Sequence, residues 1–556
     1  MIKKMKKSLN WFLVATILMI SLVVNLNVLV KNVNAGVTPS TGATVNNVVP
    51  DDLSGTTDDS TTSSPTNADS NVTFTATGHD DNGDTWKLLI CKAAGTTGTD
   101  CTGGAGNRWC VSASAVASDS PNTCTYTTSD SNDHSNDWYA YACDATACSA
   151  TADTVDSPFI VNHAPEFTDS SPDAAKDPGA TVTITATAAD DARDTSGQVK
   201  LYVCKEQSFT GGASPACGGT GEWGHGNFAD NSPTAAFAVP DPDGQYDYYP
   251  YIIDTWGMVS DGAGQGVLDH FTVNNIAPTV SSVSLNSAGN ITITANSSSD
   301  ISATATISDD NGCTKLGGGD EIASAKAVFF QDNLTTEACG ANENNCYIIA
   351  NCSLGACNAG SLTATCTATM WYNANPTDGG AYATNQGWNL DKWTAWVEGK
   401  DDDNATGNDT NSGQTIEVTT TIGLNVVETS IDYGSLDPGE SNTSLNNDDT
   451  EVQSVGNAPI NSKQYGLTVL TSDGNTIPNV NQKLGLTDDD WASLTYTLKS
   501  TLGTADVVDL AITTIAAAHG SPPSDIIYWG LKIPDVQASG TYAGVNTFSP
   551  VEETTF

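Results

Sequence analysis

The residues of this chain best suited to chemistry are carboxylates, and they recur in short clusters. Asp80, Asp81 and Asp84 fall in Asp80-Asp-Asn-Gly-Asp84, Asp190, Asp191 and Asp194 in Asp190-Asp-Ala-Arg-Asp194, and Asp309 and Asp310 in Asp309-Asp-Asn-Gly312. A hard divalent cation takes about six to eight oxygen ligands, which loops dense in Asp and Asn supply, so calcium is the expected cofactor. Asp144 and Asp254 each close an aromatic segment further along, and complete the first two sets if acidic turn and segment end meet at one pole of a folded domain. Asp241-Pro-Asp-Gly244 with Asp247, and Asp401-Asp-Asp-Asn404, are further oxygen-rich loops, and neither has the glutamate that closes an EF-hand. The plainer reading is that all of these are solvated turns on a very acidic protein.

Other chemistry is poorly supplied. The histidines at 79, 134, 163, 225, 270 and 519 stand apart in sequence, and no metalloprotease, nucleophile-elbow or P-loop motif occurs. An enzyme is not expected. Exposed tryptophan faces stack on sugar rings, and Trp223 and Trp388, in Gly-rich surroundings, are the candidates for carbohydrate binding. Trp138, Trp393 and Trp396 are expected to fill cores instead.

The cysteines fall into even groups: Cys91, Cys101, Cys110, Cys124, Cys143 and Cys148; Cys204 and Cys217; Cys313, Cys339, Cys346, Cys352, Cys357 and Cys366. No C-x-x-C pair suggests zinc or redox work, so the groups read as disulfides within domains of an exported protein. Cys91 with Cys101 and Cys204 with Cys217 follow matching apolar strands and are expected to be equivalent bridges. Cys143 with Cys148 is expected to be a local one, and the pairing of the third group stays open.

The elements that must position these residues are repeated strands. Val72-Thr-Phe-Thr-Ala-Thr77 precedes the first acidic cluster, and Trp138-Tyr-Ala-Tyr-Ala-Cys-Asp144 leads to Phe159-Ile-Val-Asn-His-Ala-Pro165. Val182-Thr-Ile-Thr-Ala-Thr187 precedes the second, and Tyr248-Tyr-Pro-Tyr-Ile-Ile-Asp254 leads to Phe271-Thr-Val-Asn-Asn-Ile-Ala-Pro278. A looser third copy has Ile301-Ser-Ala-Thr-Ala-Thr-Ile307 and Trp393-Thr-Ala-Trp396. Alternation of Thr with Val, Ile or Phe marks strands with one buried face, and the two Ala-Pro junctions lie 113 residues apart, the size of one β-sandwich.

This order of strand, acidic turn, aromatic strand ending in Asp, and Val-Asn-x-Ala-Pro linker resembles the tandem immunoglobulin-like and cadherin-like domains of prokaryotic surface proteins. The resemblance implies an all-β chain of tandem Ig-like sandwiches and, from the cadherin-like side, calcium between domains. The cysteine-free end, with Ile431-Asp-Tyr-Gly-Ser-Leu-Asp-Pro-Gly439 and Tyr528-Trp-Gly-Leu-Lys-Ile-Pro534, resembles the terminal sandwich of surface filament proteins. The expected organisation is a signal peptide over 1–35 and a Thr/Ser-rich linker or donor-strand segment over 36–68. Ig-like domains follow over 69–163, 164–276 and 277–421, the last with a cysteine-rich insertion, and then a C-terminal β-sandwich over 422–556.

The leader rests on four lysines in the first seven residues, an apolar run from Trp11 to Val24, and small residues at Val33 and Ala35. An uncleaved anchor reaching Val30 is the alternative, interrupted by Asn25 and Asn27. Without the acid-free first 35 residues the chain has 15 basic residues against 65 acidic ones. That charge repels phosphate backbones and excludes nucleic acid as a partner. Eight N-x-S/T sequons, at Asn71, Asn290, Asn296, Asn333, Asn351, Asn404, Asn408 and Asn442, matter where the source glycosylates asparagine. The expectation is a secreted, non-enzymatic structural or adhesive surface protein whose partners are other surface proteins or copies of itself, and which touches a membrane only during export. Self-assembly into a filament or surface layer belongs to that reading; a carbohydrate-binding adhesin is the alternative.

Overall fold

The computed structural model describes residues 44–52, 60–80, 83–154, 156–194, 197–334 and 339–555. The leader, its cleavage point and Asp81 lie outside these residues. Among the described residues no helix is long and apolar enough to cross a membrane. The chain divides into two compact units, one running to Val239 and resuming over Gln245–Val273, the other made of Pro240–Gly244 and Asn274–Phe556.

Both units are built from β-sandwiches, three Ig-like ones in tandem and a distinct C-terminal one. In the first unit, Asn71–His79 lies between Thr44–Asp52 and Pro121–Thr127 in one sheet, and Lys87–Cys91 lies between Tyr139–Cys143 and Arg108–Val111 in another. Along Asn71–His79 the residues Val72, Phe74 and Ala76 turn inward while the threonines between them turn out, as the period of two requires. Phe74 meets Trp138 edge-on at 5.5 Å, and Trp86, Leu88, Ile90 and Phe159 close the core. The second sandwich repeats the plan. Thr181–Ala189 pairs with Glu166–Pro172 and Thr234–Ala238, and Val199–Cys204 pairs with Glu222–His225 and Gly244–Asp254.

The second unit holds a third sandwich. Ser298–Ser308 is paired along its whole length with Ser361–Trp371, and Ile322–Gln331 pairs with Trp393–Asp401. The C-terminal sandwich sets Asp448–Ser454, Ser524–Leu531 and Gln482–Gly485 over Ile460–Ser472 and Ala543–Glu552, around buried Trp529, Val452, Leu484 and Ile527. The two are joined at His519, whose ring stacks on Trp371 with centroids 3.7 Å apart and whose carbonyl accepts from Tyr372 Oη at 2.8 Å.

Seven disulfides form: Cys91–Cys101, Cys110–Cys124, Cys143–Cys148, Cys204–Cys217, Cys313–Cys357, Cys339–Cys346 and Cys352–Cys366. They include the two equivalent bridges and the local one expected from the sequence, and they resolve the third group. Trp138, Trp393 and Trp396 are buried. The strand anticipated in the Thr/Ser-rich segment spans Thr44–Asp52 and pairs antiparallel with Asn71–His79 of its own chain.

Candidate cation and junction sites

The aspartate that ends each aromatic strand has one recurring local task. Asp144 accepts from the backbone of Thr146 and Ala147 at 2.6 and 2.8 Å, Asp254 from Trp256 and Met258 at 2.9 and 2.8 Å, and Asp401 from Ala405 at 2.7 Å. Each carboxylate thereby caps the turn that follows its strand. At Asp144 burial opposes the charge, but the bonds from Ala147 and Thr146 outweigh it and hold the carboxyl below its ordinary range.

The second oxygen of this aspartate explains the linker motif. Asn162 Nδ2 donates to Asp254 Oδ2 at 2.6 Å, and Asn275 Nδ2 donates to Asp401 Oδ2 at 3.2 Å. The asparagine of each Val-Asn-x-Ala-Pro or Val-Asn-Asn-Ile-Ala-Pro stretch thus docks on the aspartate ending the aromatic strand of the sandwich that follows. Asp254 and Asp401 are fully buried, so an asparagine is the neutral donor that such a site needs.

Within the first unit this joint is reinforced from the acidic turn. The Asp194 carboxylate, fully enclosed, accepts from the His163 backbone N–H, from His163 Nδ1 and from His134 Nδ1, each at 2.8 Å. His163 Nε2 faces the Asn132 carbonyl at 3.0 Å. Both ring nitrogens of His163 therefore point at acceptors. Asp191 is held by Arg193 Nε and Nη2 at 2.9 and 2.8 Å, and Nη2 also reaches Asp130 at 2.9 Å. That pairing pulls the Asp191 carboxyl down to about 2.

Asp190 is different. Both of its oxygens are enclosed without a hydrogen-bond partner, beside Gly197, where a Cβ would collide with Oδ2. Burial, then the charges of Asp254 and Asp194, push its carboxyl up to about 7. Burial also lifts Asp254, to about 6. The structure brings Asp190, Asp194 and Asp254 together, with protein donors on Asp194 and Asp254 and with Arg193 on Asp191. In the first sandwich Asp80 is buried and accepts from the Asp84 backbone at 3.3 Å, which places Asp84 in the turn that Asp80 closes.

In the third sandwich Asp309 Oδ1 accepts from the Asn311 backbone at 2.8 Å, while Asp310 is exposed. Asp309 Oδ2 is enclosed without a partner, and burial raises its carboxyl, with Asp401, Asp310 and Asp243 adding to the shift. A further cluster forms here, of which sequence reasoning missed Glu321. Asp243, Glu321 and Asp402 bring one oxygen each within 4.8 Å of one another. The loops carrying Asp243 and Asp402 were legible as oxygen-rich; nothing in the sequence marked Glu321.

The tryptophans divide. Trp223 is half-buried, stacked near-parallel on Phe237 and edge-on to Phe271 and Tyr246, with Lys205 Nζ 4.5 Å from its ring centre and its Nε1 donating to Asp247 O at 2.9 Å. Its ring belongs to the second core. Trp388 touches Tyr382 edge-on at 5.6 Å and stands beside Leu390, which is 82% exposed.

No protein-family model matches the chain, and no curated protein sequence matches it. Among solved structures it is similar to the three-Ig ectodomain of mouse nectin-like molecule 4, with 9% identity over 64% of this chain and 96% of that one and a TM-score of 0.27. It is also similar to invasin, a bacterial integrin-binding protein, with 10% identity over 88% of this chain and 99% of that one and a TM-score of 0.23. The Yersinia pseudotuberculosis adhesin InvE aligns at 13% identity over 44% of this chain and 57% of that one, with a TM-score of 0.19. Likenesses of this size transfer neither ligand nor residue role.

Proposed function

We propose that this chain is a non-enzymatic, exported structural or adhesive surface protein, with sandwiches over 69–163, 164–276, 277–421 and 422–556. The observation that carries this reading is the repeated joint: Asn162 on Asp254 and Asn275 on Asp401, with His163 and His134 spent on Asp194 in the first. Titratable groups that an enzyme would leave free in a cleft are here consumed in docking each linker on the strand end that follows it. Disulfides in three sandwiches and the strongly acidic surface fit an extracellular setting.

Immunogold labelling of intact source cells tests it. Label on the cell surface, or on fibres shed from it, is the expected result; label confined to the cytoplasm overturns the reading. Self-assembly is the finer form, with Thr44–Asp52 as the strand passed between copies, since an edge strand that pairs with Asn71–His79 in its own chain fits the same edge in another copy. Deleting residues 36–50 and imaging the secreted protein checks this, and polymers that survive the deletion refute strand exchange. A carbohydrate-binding adhesin is the alternative reading, with half-buried Trp388 as its candidate residue. A glycan array on the wild type and Trp388→Ala decides that point, and equal signals remove it.

A further inference from the structure

Three carboxylates from separate segments of the second unit converge on one small space. Asp243 lies in the Pro240–Gly244 turn, Glu321 just before the strand Ile322–Gln331, and Asp402 just after Trp393–Asp401. One oxygen of each lies within 4.8 Å of the other two. An acidic patch in water would not hold attention, because its charges are solvated and screened. Glu321 is not in water: it is 0% exposed, and neither Oε1 nor Oε2 has a hydrogen-bond partner. Asp402 Oδ1 is enclosed and unpartnered as well.

A buried carboxylate with no donor needs either a proton or a cation. Among the described residues, the Lys315 ammonium lies 3.4 Å from Asp402 Oδ2 and is itself 42% exposed. One lysine charge faces three carboxylates there.

The frame around the cluster is fixed. Asn311, fully buried, donates from Nδ2 to the carbonyls of Asp241 and Asn274 at 3.0 Å each and accepts from the Ile276 N–H at 2.7 Å. This seats the Asp243 turn. The Glu321 backbone donates to the carbonyl of Cys313, whose disulfide to Cys357 ties that segment down. Asp401 caps its own turn through Ala405 and so sets the position of Asp402.

We propose that Asp243, Glu321 and Asp402 form a binding site for a hard divalent cation, calcium in an extracellular setting. The donor set is oxygen alone, with no imidazole or thiolate, which disfavours zinc and copper. Carboxylates on two loops and a strand end suit the flexible, high-coordination shell of calcium better than the strict octahedron of magnesium. A bound ion clamps the Pro240–Gly244 turn onto the third sandwich. The site stands or falls independently of the surface role proposed above.

The test uses the full chain stripped with chelator, titrated with CaCl2 by calorimetry, with hydrogen exchange read over residues 240–244. The wild type is expected to bind calcium and to slow exchange in that turn at least tenfold. Glu321→Gln and Asp243→Asn are expected to weaken this protection at least tenfold. Because Glu321 is buried, its variant is checked for folding by near-UV circular dichroism; should it misfold, Asp243→Asn, on the turn itself, decides. Unchanged exchange at 240–244 on adding calcium overturns the site, as does wild-type protection in Asp243→Asn. Equal protection by the same concentration of MgCl2 overturns the choice of calcium.

Discussion

At the scale of single residues, the repeated motifs are a set of polar obligations that satisfy one another. Asn162 is the sharpest case: truncation to alanine leaves Asp254 Oδ2 buried without its donor, at a cost of about 1–3 kcal/mol. Asn162→Ala is therefore expected to lower the urea midpoint of the first unit, followed by hydrogen exchange in Asn71–His79 and Thr181–Ala189, and an unchanged midpoint would show that the joint contributes nothing. Asp190 is predicted to behave in the opposite sense. Its folded carboxyl is raised to about 7 from 3.8, so the folded state binds this proton more tightly than the unfolded chain. The associated stability is fully present below pH of about 4 and is lost as pH rises through about 7. Asp190→Asn, which mimics the protonated form, should accordingly raise the melting temperature at pH 8 in chelator and leave it unchanged at pH 4. A lower melting temperature at pH 8 would mean that the Asp190 charge is compensated in the wild type.

At the scale of elements, the strands and several disulfides were open to sequence reading because their signals are local. Val72-Thr-Phe-Thr-Ala-Thr77 alternates, and its apolar residues are the buried ones. Cys91 and Cys204 follow matching strands, and each closes on a cysteine 10 or 13 residues ahead. What the sequence hid was distance. The partner of Asn162 lies 92 residues away and that of Asn275 lies 126 away, so the linker motif was visible while its purpose was not. His134 and His163 stood isolated in sequence, and the fold sets both on one carboxylate. Glu321 has no sequence signal at all, since its significance comes from the turn and the strand end that surround it. Two of the disulfides yield a prediction at this scale. Cys313–Cys357 closes a separation of 44 residues and Cys143–Cys148 one of 5, worth about 4 and about 2 kcal/mol in a chain-entropy account. Replacing the first pair by serine should depress the denaturant midpoint of the second unit more than replacing the second pair depresses that of the first; equal losses would point to strain or residual structure in place of loop closure.

At the scale of the whole molecule the governing quantity is charge. The chain carries a formal net charge of −45 at pH 7, and lysines and arginines number only 20. Arg193, between Asp191 and Asp130, answers part of this repulsion locally, but 20 basic residues cannot pair with 65 acidic ones. Self-repulsion of that size disfavours the compact state and is screened by salt, with a Debye length of about 30 Å at 0.01 M that shrinks to about 10 Å at 0.1 M. In the presence of chelator, raising NaCl from about 10 to about 150 mM should therefore raise the melting temperature by several degrees, because the distances between neighbouring surface carboxylates fall inside the longer length and near the shorter one. Scanning calorimetry at fixed pH checks this. Calcium at matched ionic strength should add a further increase that sodium cannot reproduce, since an ion held by Asp243, Glu321 and Asp402 removes charge where salt does not reach. A melting temperature indifferent to NaCl would mean that the folded chain already carries far less charge than its composition states, with its carboxylates neutralised by protons or tightly bound cations.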